Sequence, residues 1–298
     1  MTGQTTQQRP LIFGEVLFDC FPDGSQVLGG APFNVAWHLQ AFGAAPLMIS
    51  RIGEDALGQS IASAMLAWGM DSSGLQVDSE HPTGRVDISF SGSEHSFNIV
   101  DHSAYDYIDS APLPLLPEDY LLYHGSLALR HDGSRQTLDH IRQLDGNPIF
   151  IDINLRSPWW QAEDISKMLE HATWMKLNED ELDIIIPGAQ GLDERFEQLR
   201  QRYPAELFII TLGERGAIAM DRAGKQTSIT PQVNQEVVDT VGAGDAFSSV
   251  LLLGILKEWP LATILERAQS FASAITGIRG ATSTEQDFYA PFLRAWHL

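Results

Sequence analysis

Two hydrophobic rhythms alternate along this chain. Short apolar runs bounded by turn formers occupy Leu11–Val16, Leu47–Ile52, Tyr120–His124, Pro148–Asn154, Trp174–Leu177 and Leu207–Leu212. Runs of this length and composition predict β-strands. Between them, amphipathic stretches predict helices over Pro32–Phe42, Ala56–Trp68, Ser134–Leu144, Ile165–His171, Asp193–Arg202, Ala246–Leu256 and Leu261–Gly277. In the last of these, Ile264, Leu265, Ala268, Phe271, Ala272 and Ile275 recur at helical spacing. Strand and helix in alternation predict an α/β fold, a mostly parallel sheet with helices on both faces. Two stretches break the alternation. Val16–Leu28 follows the first strand without a helix. Gly84–Val100 reads as a hairpin, with Val86, Ile88 and Phe90 alternating before a Ser91-Gly92-Ser93 turn. Together, about 16–28 and 84–100, they predict a small β-sheet beside the main one, placed as a lid. No repeat, low-complexity segment or long linker divides the chain, so 1–298 reads as one domain.

Composition narrows the classes. The 298 residues, 44% hydrophobic, suffice for one large α/β domain. The single cysteine, Cys20, permits no intrachain disulfide and suits a reducing compartment. The opening MTGQTTQQRP lacks the basic-then-apolar pattern of a signal peptide, and no apolar run is long enough to span a bilayer. The expectation is a soluble, cytoplasmic protein. With 19 basic against 39 acidic side chains, the formal charge is −20. Such a surface repels nucleic acid and anionic membranes. Any bound phosphate must then be held locally, by backbone N–H groups, a helix N-terminus, a few basic side chains and Mg²⁺.

A glycine-rich turn opening a helix is present. In Val238-Asp239-Thr240-Val241-Gly242-Ala243-Gly244-Asp245-Ala246-Phe247, the glycines permit a tight turn whose N–H groups point one way. The helix that follows puts its positive end at that turn, making an anion hole for a phosphoryl group in transfer. Asp245 stands at its mouth, placed to accept a proton from an attacking hydroxyl. A second segment, Gly29-Gly30-Ala31-Pro32-Phe33-Asn34, is a turn feeding a helix with proline near its first position. Asn34 offers a donor and an acceptor to hydroxyls, and reads equally as a solvated helix residue. Polar residues also gather after apolar strands at Glu15 to Asp19, Asp152 to Arg156, Lys176 to Glu181 and Thr211 to Gly216. The carboxyl ends of strands are where open α/β sheets bind ligands. Signatures of other chemistries, a Walker-type P-loop, paired Cys-x-x-Cys or a His-Glu-x-x-His helix, do not occur. The histidines look scattered and predict no metal role. The pair Trp159-Trp160 reads as site lining or as packing.

The GGAPFN and DTVGAGDAF segments resemble the two signatures of the ribokinase-like (PfkB) carbohydrate kinases, and within them the fructokinases. The resemblance runs from Leu11 to about Ala281. It implies a three-layer α/β/α domain with a β-sheet lid that often mediates dimerisation, here a homodimer. It implies that Asp19, Gly30 and Asn34 contact the sugar, that Asp245 is the base, and that Gly242, Ala243 and Gly244 form the anion hole. Asn178 and Glu181 match the family's Asn-x-x-Glu motif, associated with phosphate and Mg²⁺. Thr211, Gly213 and Gly216 match the nucleotide-binding turn, and Gln269 is placed with them as an ATP contact. Asp239 and Val241 fall where members bind a monovalent cation such as K⁺, Val241 replacing the usual Thr. Ile278-Arg279-Gly280-Ala281 resembles the loop that completes the cation and adenine surroundings. The fructokinase-like Asp-Pro-Asn-Leu-Arg is Asp152-Ile153-Asn154-Leu155-Arg156 here, which keeps Asn154 and Arg156 for the substrate.

One departure bears on specificity. Relatives that take acidic sugars often carry Arg just before the Ser-Ala of the lid-adjacent segment, where this chain has Val100 before Asp101-His102-Ser103-Ala104. A neutral sugar needs no such cation. The expectation is ATP-dependent phosphorylation of a neutral sugar, fructose first. The alternatives are another small sugar, a nucleoside or 2-keto-3-deoxygluconate, or a catalytically silent sugar-binding regulator.

Overall fold

The computed structural model describes residues 8–91, 94–144, 146–231 and 237–298. The chain begins with β1 (Arg9–Phe13), β2 (Leu17–Cys20), β3 (Gln26–Gly29), α1 (Ala31–Ala41), β4 (Leu47–Gly53), α2 (Ala56–Ala67) and β5 (Leu75–Asp78). The hairpin β6 (Gly84–Ser91) and β7 (Glu94–Ile99) follows, then β8 (Tyr120–His124), α3 (Asp132–Gln143), β9 (Ile149–Asp152), α4 (Ala162–Leu169) and β10 (Trp174–Asn178). Next come α5 (Glu179–Ile185), α6 (Leu192–Arg202), β11 (Leu207–Thr211), β12 (Ala217–Asp221), β13 (Gln226–Ile229), α7 (Ala243–Leu256), α8 (Leu261–Thr276) and α9 (Gln286–Trp296).

Successive strand residues point to opposite faces, and this alternation sorts the core into two layers. Ile12, Met48, Tyr123, Phe150 and Ile209 face α1, α2, α7, α8 and α9. Leu11, Phe13, Leu47, Leu122, Ile151 and Met175 face α3, α4, α5 and α6. The result is the expected three-layer α/β/α arrangement. Its sheet has nine strands in the order β13-β12-β11-β10-β9-β8-β1-β4-β5. Pairing is parallel from β5 through to β11, and β12 and β13 join antiparallel.

The two exceptional stretches form a second sheet of four strands, β3-β2-β6-β7. Leu17, Val86, Ile88 and Ile99 on its inner face pack on Tyr105, Leu127, Ala128 and Trp159. Trp159 is therefore packing for the small sheet. Gly92 and Ser93 of the expected turn lie outside the described residues, as do residues 1–7 of the opening segment. No helix among the described residues is long and apolar enough to cross a membrane.

Some expected boundaries move. The first strand ends at Phe13 rather than Val16, because the chain leaves the main sheet there for the small one. The strand expected to reach Asn154 ends at Asp152, and Asn154 is left-handed at φ 44°. The fourth helix starts at Ala162, three residues before Ile165, on the acidic first turn of Glu163 and Asp164. Strands β5, β12 and β13 and helices α5 and α9 went unpredicted: each is short or interrupted, and α9 carries Pro291 inside it.

Candidate active site

Neighbouring strands β1 and β8 send the chain in opposite directions across the sheet, to β4 on one side and β9 on the other. That reversal opens a crevice at their carboxyl ends, where α/β sheets take ligands. The Gly29-Gly30 turn returns the chain from the small sheet to this crevice. Gly30 has φ 107°, and a Cβ there would lie 2.7 Å from the Glu15 carbonyl oxygen, so only glycine fits. α1 then starts with Pro32 in its first turn.

Asn34, buried on α1, donates from Nδ2 to Asp245 Oδ2 at 2.8 Å, joining segments 211 residues apart. Its Oδ1 is buried without a partner. A Cβ on Gly29 would stand 3.9 Å from Asp19 Oδ2 and 4.0 Å from Asn34 Oδ1, so acid and amide border one space. Arg156, exposed on the loop after β9, acts electrostatically on Asp19, Glu15 and Asp245 and so faces all three. An orphaned acceptor flanked by a carboxylate and a guanidinium suits a ligand rich in hydroxyls.

The α7 N-terminus closes the other side. Gly242 is left-handed at φ 78°, and a Cβ there would lie 2.4 Å from Ala281 Cα. The loop after α8 is thus the wall of the turn. No side chain caps α7, whereas Asp55 caps α2 and Asn178 caps α5. The first N–H groups of a helix have no intrahelical partner, so this end fits a phosphate. Burial raises the pKa of Asp245 to about 6 against the pull of its Asn34 hydrogen bond, and the Asp152 charge adds to the rise.

The nucleotide and metal candidates fall into two groups. Asn178 and Thr211 are paired in register at the ends of β10 and β11. Asn178 and Glu181 form a reciprocal capping box, and Glu181 also accepts from the Leu155 N–H at 2.8 Å. Burial raises the Glu181 pKa, with Asp152 adding to it. Gly213 and Gly216 bracket the turn after β11. Asp239 takes the Val241 N–H at 3.0 Å and the Gly280 N–H at 3.1 Å, tying the turn before α7 to the loop after α8. The Val241 side chain is exposed, which leaves only its backbone for a cation. Gln269 lies on α8 with Nε2 directed to Ser273 Oγ at 3.3 Å, and among the described residues no hydrogen bond brings it to the cluster.

Three residues that the sequence reading named only within polar clusters take defined places here. Glu15 is buried against Asp245 and Arg156, its Oε2 lacks a partner, and burial above all lifts its pKa to about 7. Asp152 and Lys176 form a buried ion pair under α7, at 2.8 Å. Their sequence signal was a charge at or near the end of an otherwise apolar strand, with no partner indicated. The histidines are also less scattered than expected. Ligand atoms of Asp101, His102 and His131 lie within 4.8 Å of one another, where His131 hydrogen-bonds Asp101 and the two imidazoles stack. A groove of about 640 Å³ between α3 and α4 lies away from the crevice, and its Arg142 and Arg135 are paired with Asp139 and Asp164.

Residues 18–287 match the pfkB family carbohydrate kinase domain. The chain is 31% identical to a sugar kinase of Pyrococcus horikoshii over 86% of its own length and 83% of that protein. It is 30% identical to a fructokinase of Klebsiella pneumoniae over 91% of its length and 94% of that protein. The crystal structure of the P. horikoshii sugar kinase in complex with ATP superposes with a TM-score of 0.78 at 27% identity, covering 91% of this chain and 93% of that one.

Proposed function

The chain belongs to the pfkB family of carbohydrate kinases, and from that premise we propose that it transfers the γ-phosphoryl group of ATP to a hydroxyl of a neutral sugar, fructose first. The observation that carries this is the Asn34–Asp245 hydrogen bond, 2.8 Å long. It sets a base and a hydroxyl-binding amide side by side at an uncapped helix N-terminus.

Asn34 Oδ1, Asp19 and Arg156 hold the sugar, with Gly30 and Asn154 shaping the turns around it. Asp245 accepts the proton of the attacking hydroxyl. The amides of Gly242, Ala243 and Gly244 meet the charge on the phosphoryl oxygens. Asn178, Thr211, Gly213 and Gly216 border the nucleotide, and Gln269 stays a candidate only for its outer edge. Glu181 with Asn178 would help hold Mg²⁺, which when bound would neutralise charge on the triphosphate. Asp239 and the Val241 carbonyl are the candidates for a monovalent cation such as K⁺.

The preference for a neutral sugar is supported by Arg130. This cation reaches the Val100 carbonyl, but its side chain is 2% exposed and paired with Asp106 at 2.7 Å. Its charge is thus committed to Asp106 inside the fold rather than offered to an acidic substrate. The small sheet serves as the lid. Its outer strand β7 presents Phe97 to solvent at 64% exposure, which supports a homodimer formed through the lid. The half-buried free Cys20 suits the cytoplasm.

An ATP-consumption assay over fructose, ribose, a nucleoside and 2-keto-3-deoxygluconate tests the reading. We expect the highest kcat/KM for fructose. No turnover of any sugar overturns the kinase reading; a charged sugar above every neutral one overturns the specificity.

A further inference from the structure

We propose that Lys176 is a further catalytic residue, its ammonium fixed beneath the first turn of α7 to bind oxygens of the phosphoryl group in transit. The inference rests on the kinase reading above. Its neighbours Met175 and Leu177 on β10 enter the core layer of α3 to α6. Lys176 therefore points the other way, under α7. It is 5% exposed. A buried ammonium is disfavoured unless it is paired, and Asp152 Oδ2 provides the pair at 2.8 Å. Burial pulls the Lys176 pKa down, but Asp152 outweighs it, so the side chain stays charged and above the ordinary lysine value.

The pairing leaves donors unused on the lysine side. Asp152 Oδ2 accepts from Lys176, from Ser248 Oγ at 2.6 Å and from the Tyr123 hydroxyl at 3.5 Å. Lys176 has three N–H donors, and Asp152 is its one hydrogen-bond acceptor among the described residues. A Cβ on Gly244 would stand 3.8 Å from Lys176 Nζ. The unused donors thus lie beside the anion-hole backbone and next to Asp245, whose charge also acts on Lys176.

The chemistry calls for such a cation. As the sugar oxygen bonds to the γ-phosphorus, its proton passes to Asp245. The bond to the bridging oxygen breaks, and ADP leaves with that electron pair. Lys176 keeps its proton throughout and meets charge on the non-bridging oxygens. In a chain of formal charge −20, bulk electrostatics oppose that charge. Arg156 is exposed and acts on Asp19 and Glu15 as well as on Asp245, whereas Lys176 is a cation already buried beside the hole.

Two variants test this: Lys176→Met, and Lys176→Met with Asp152→Asn, which removes both buried charges and keeps the fold even if the single variant does not. We expect kcat to fall about 100- to 1000-fold in both, as when an oxyanion-hole donor is removed, with the sugar KM within about threefold. Binding of Mg·ADP with aluminium fluoride and sugar should weaken by a similar factor, while Mg·ADP alone binds as before. A folded double variant with kcat within about threefold of the parent overturns the proposal. So does equal weakening of Mg·ADP and its fluoride complex, which marks a structural role. If the parent itself turns over no sugar, the kinase reading fails instead.

Discussion

Asp245→Asn should trade activity for stability. The two side chains have the same shape, and the asparagine carbonyl can still accept from Asn34 Nδ2, which holds Asp245 at 2.8 Å. The fold has no reason to change, but an amide cannot take the hydroxyl proton. General-base help typically contributes about 10²–10⁴-fold, and kcat should fall by that much. The stability effect follows from the pKa. Asp245 titrates at about 6 in the fold against 3.8 when unperturbed, chiefly because it is buried. A group with a raised folded pKa favours the native state only while protonated. Its contribution is complete below pH 4 and is lost as pH rises through 6, so at pH 8 the native state carries the full cost. A difference of about two pK units corresponds to roughly 3 kcal/mol. Partial solvent access to the carboxylate reduces this to about 1–2 kcal/mol. At pH 8 the variant should therefore melt about 2–3 °C above the parent, with the gain shrinking towards pH 4. Thermal melts at both pH values and a coupled assay for ADP release test both halves. A variant keeping more than about a tenth of parental kcat is not missing its base. A lower melting temperature at pH 8 would refute the assigned burial cost.

Asn34→Ala and Asp19→Ala should each weaken sugar binding by about 1–3 kcal/mol and leave ATP binding nearly unchanged, as isothermal titration would show; equal losses for both ligands place these residues elsewhere. Gly242→Ala sets a Cβ 2.4 Å from Ala281 Cα in a left-handed turn, so kcat should drop at least about 100-fold as the anion hole opens; near-parental kcat means that the turn plays no part. The acid limb of kcat/KM should bend near the Asp245 value of about 6, leaving roughly a tenth of the plateau at pH 5; a bend below pH 4.5 would exclude Asp245 as the base.

The sequence alone determined the architecture and named most of the residues that the fold brings to the crevice. Strand residues such as Leu11 and Phe13 must be apolar because they sit between helix layers, and that requirement is written locally. Gly30, Gly242 and Asn34 were legible for a similar reason. A left-handed turn or a helix start restricts residue type within a few neighbours, so the two glycine segments announced themselves. What the sequence could not decide was pairing at a distance. Glu15, Asp152 and Lys176 read as charges in or beside apolar strands. Only the fold shows that Lys176 meets Asp152 across 24 residues and that Ser248 joins them across 96. Arg130 likewise reaches Asp106 and the Val100 carbonyl only in the folded chain. The edge strands and α5 escaped notice because short elements owe their order to neighbours rather than to their own propensity. Burying a charge is tolerable only when its partner arrives from another element, and which element arrives is a property of the tertiary structure.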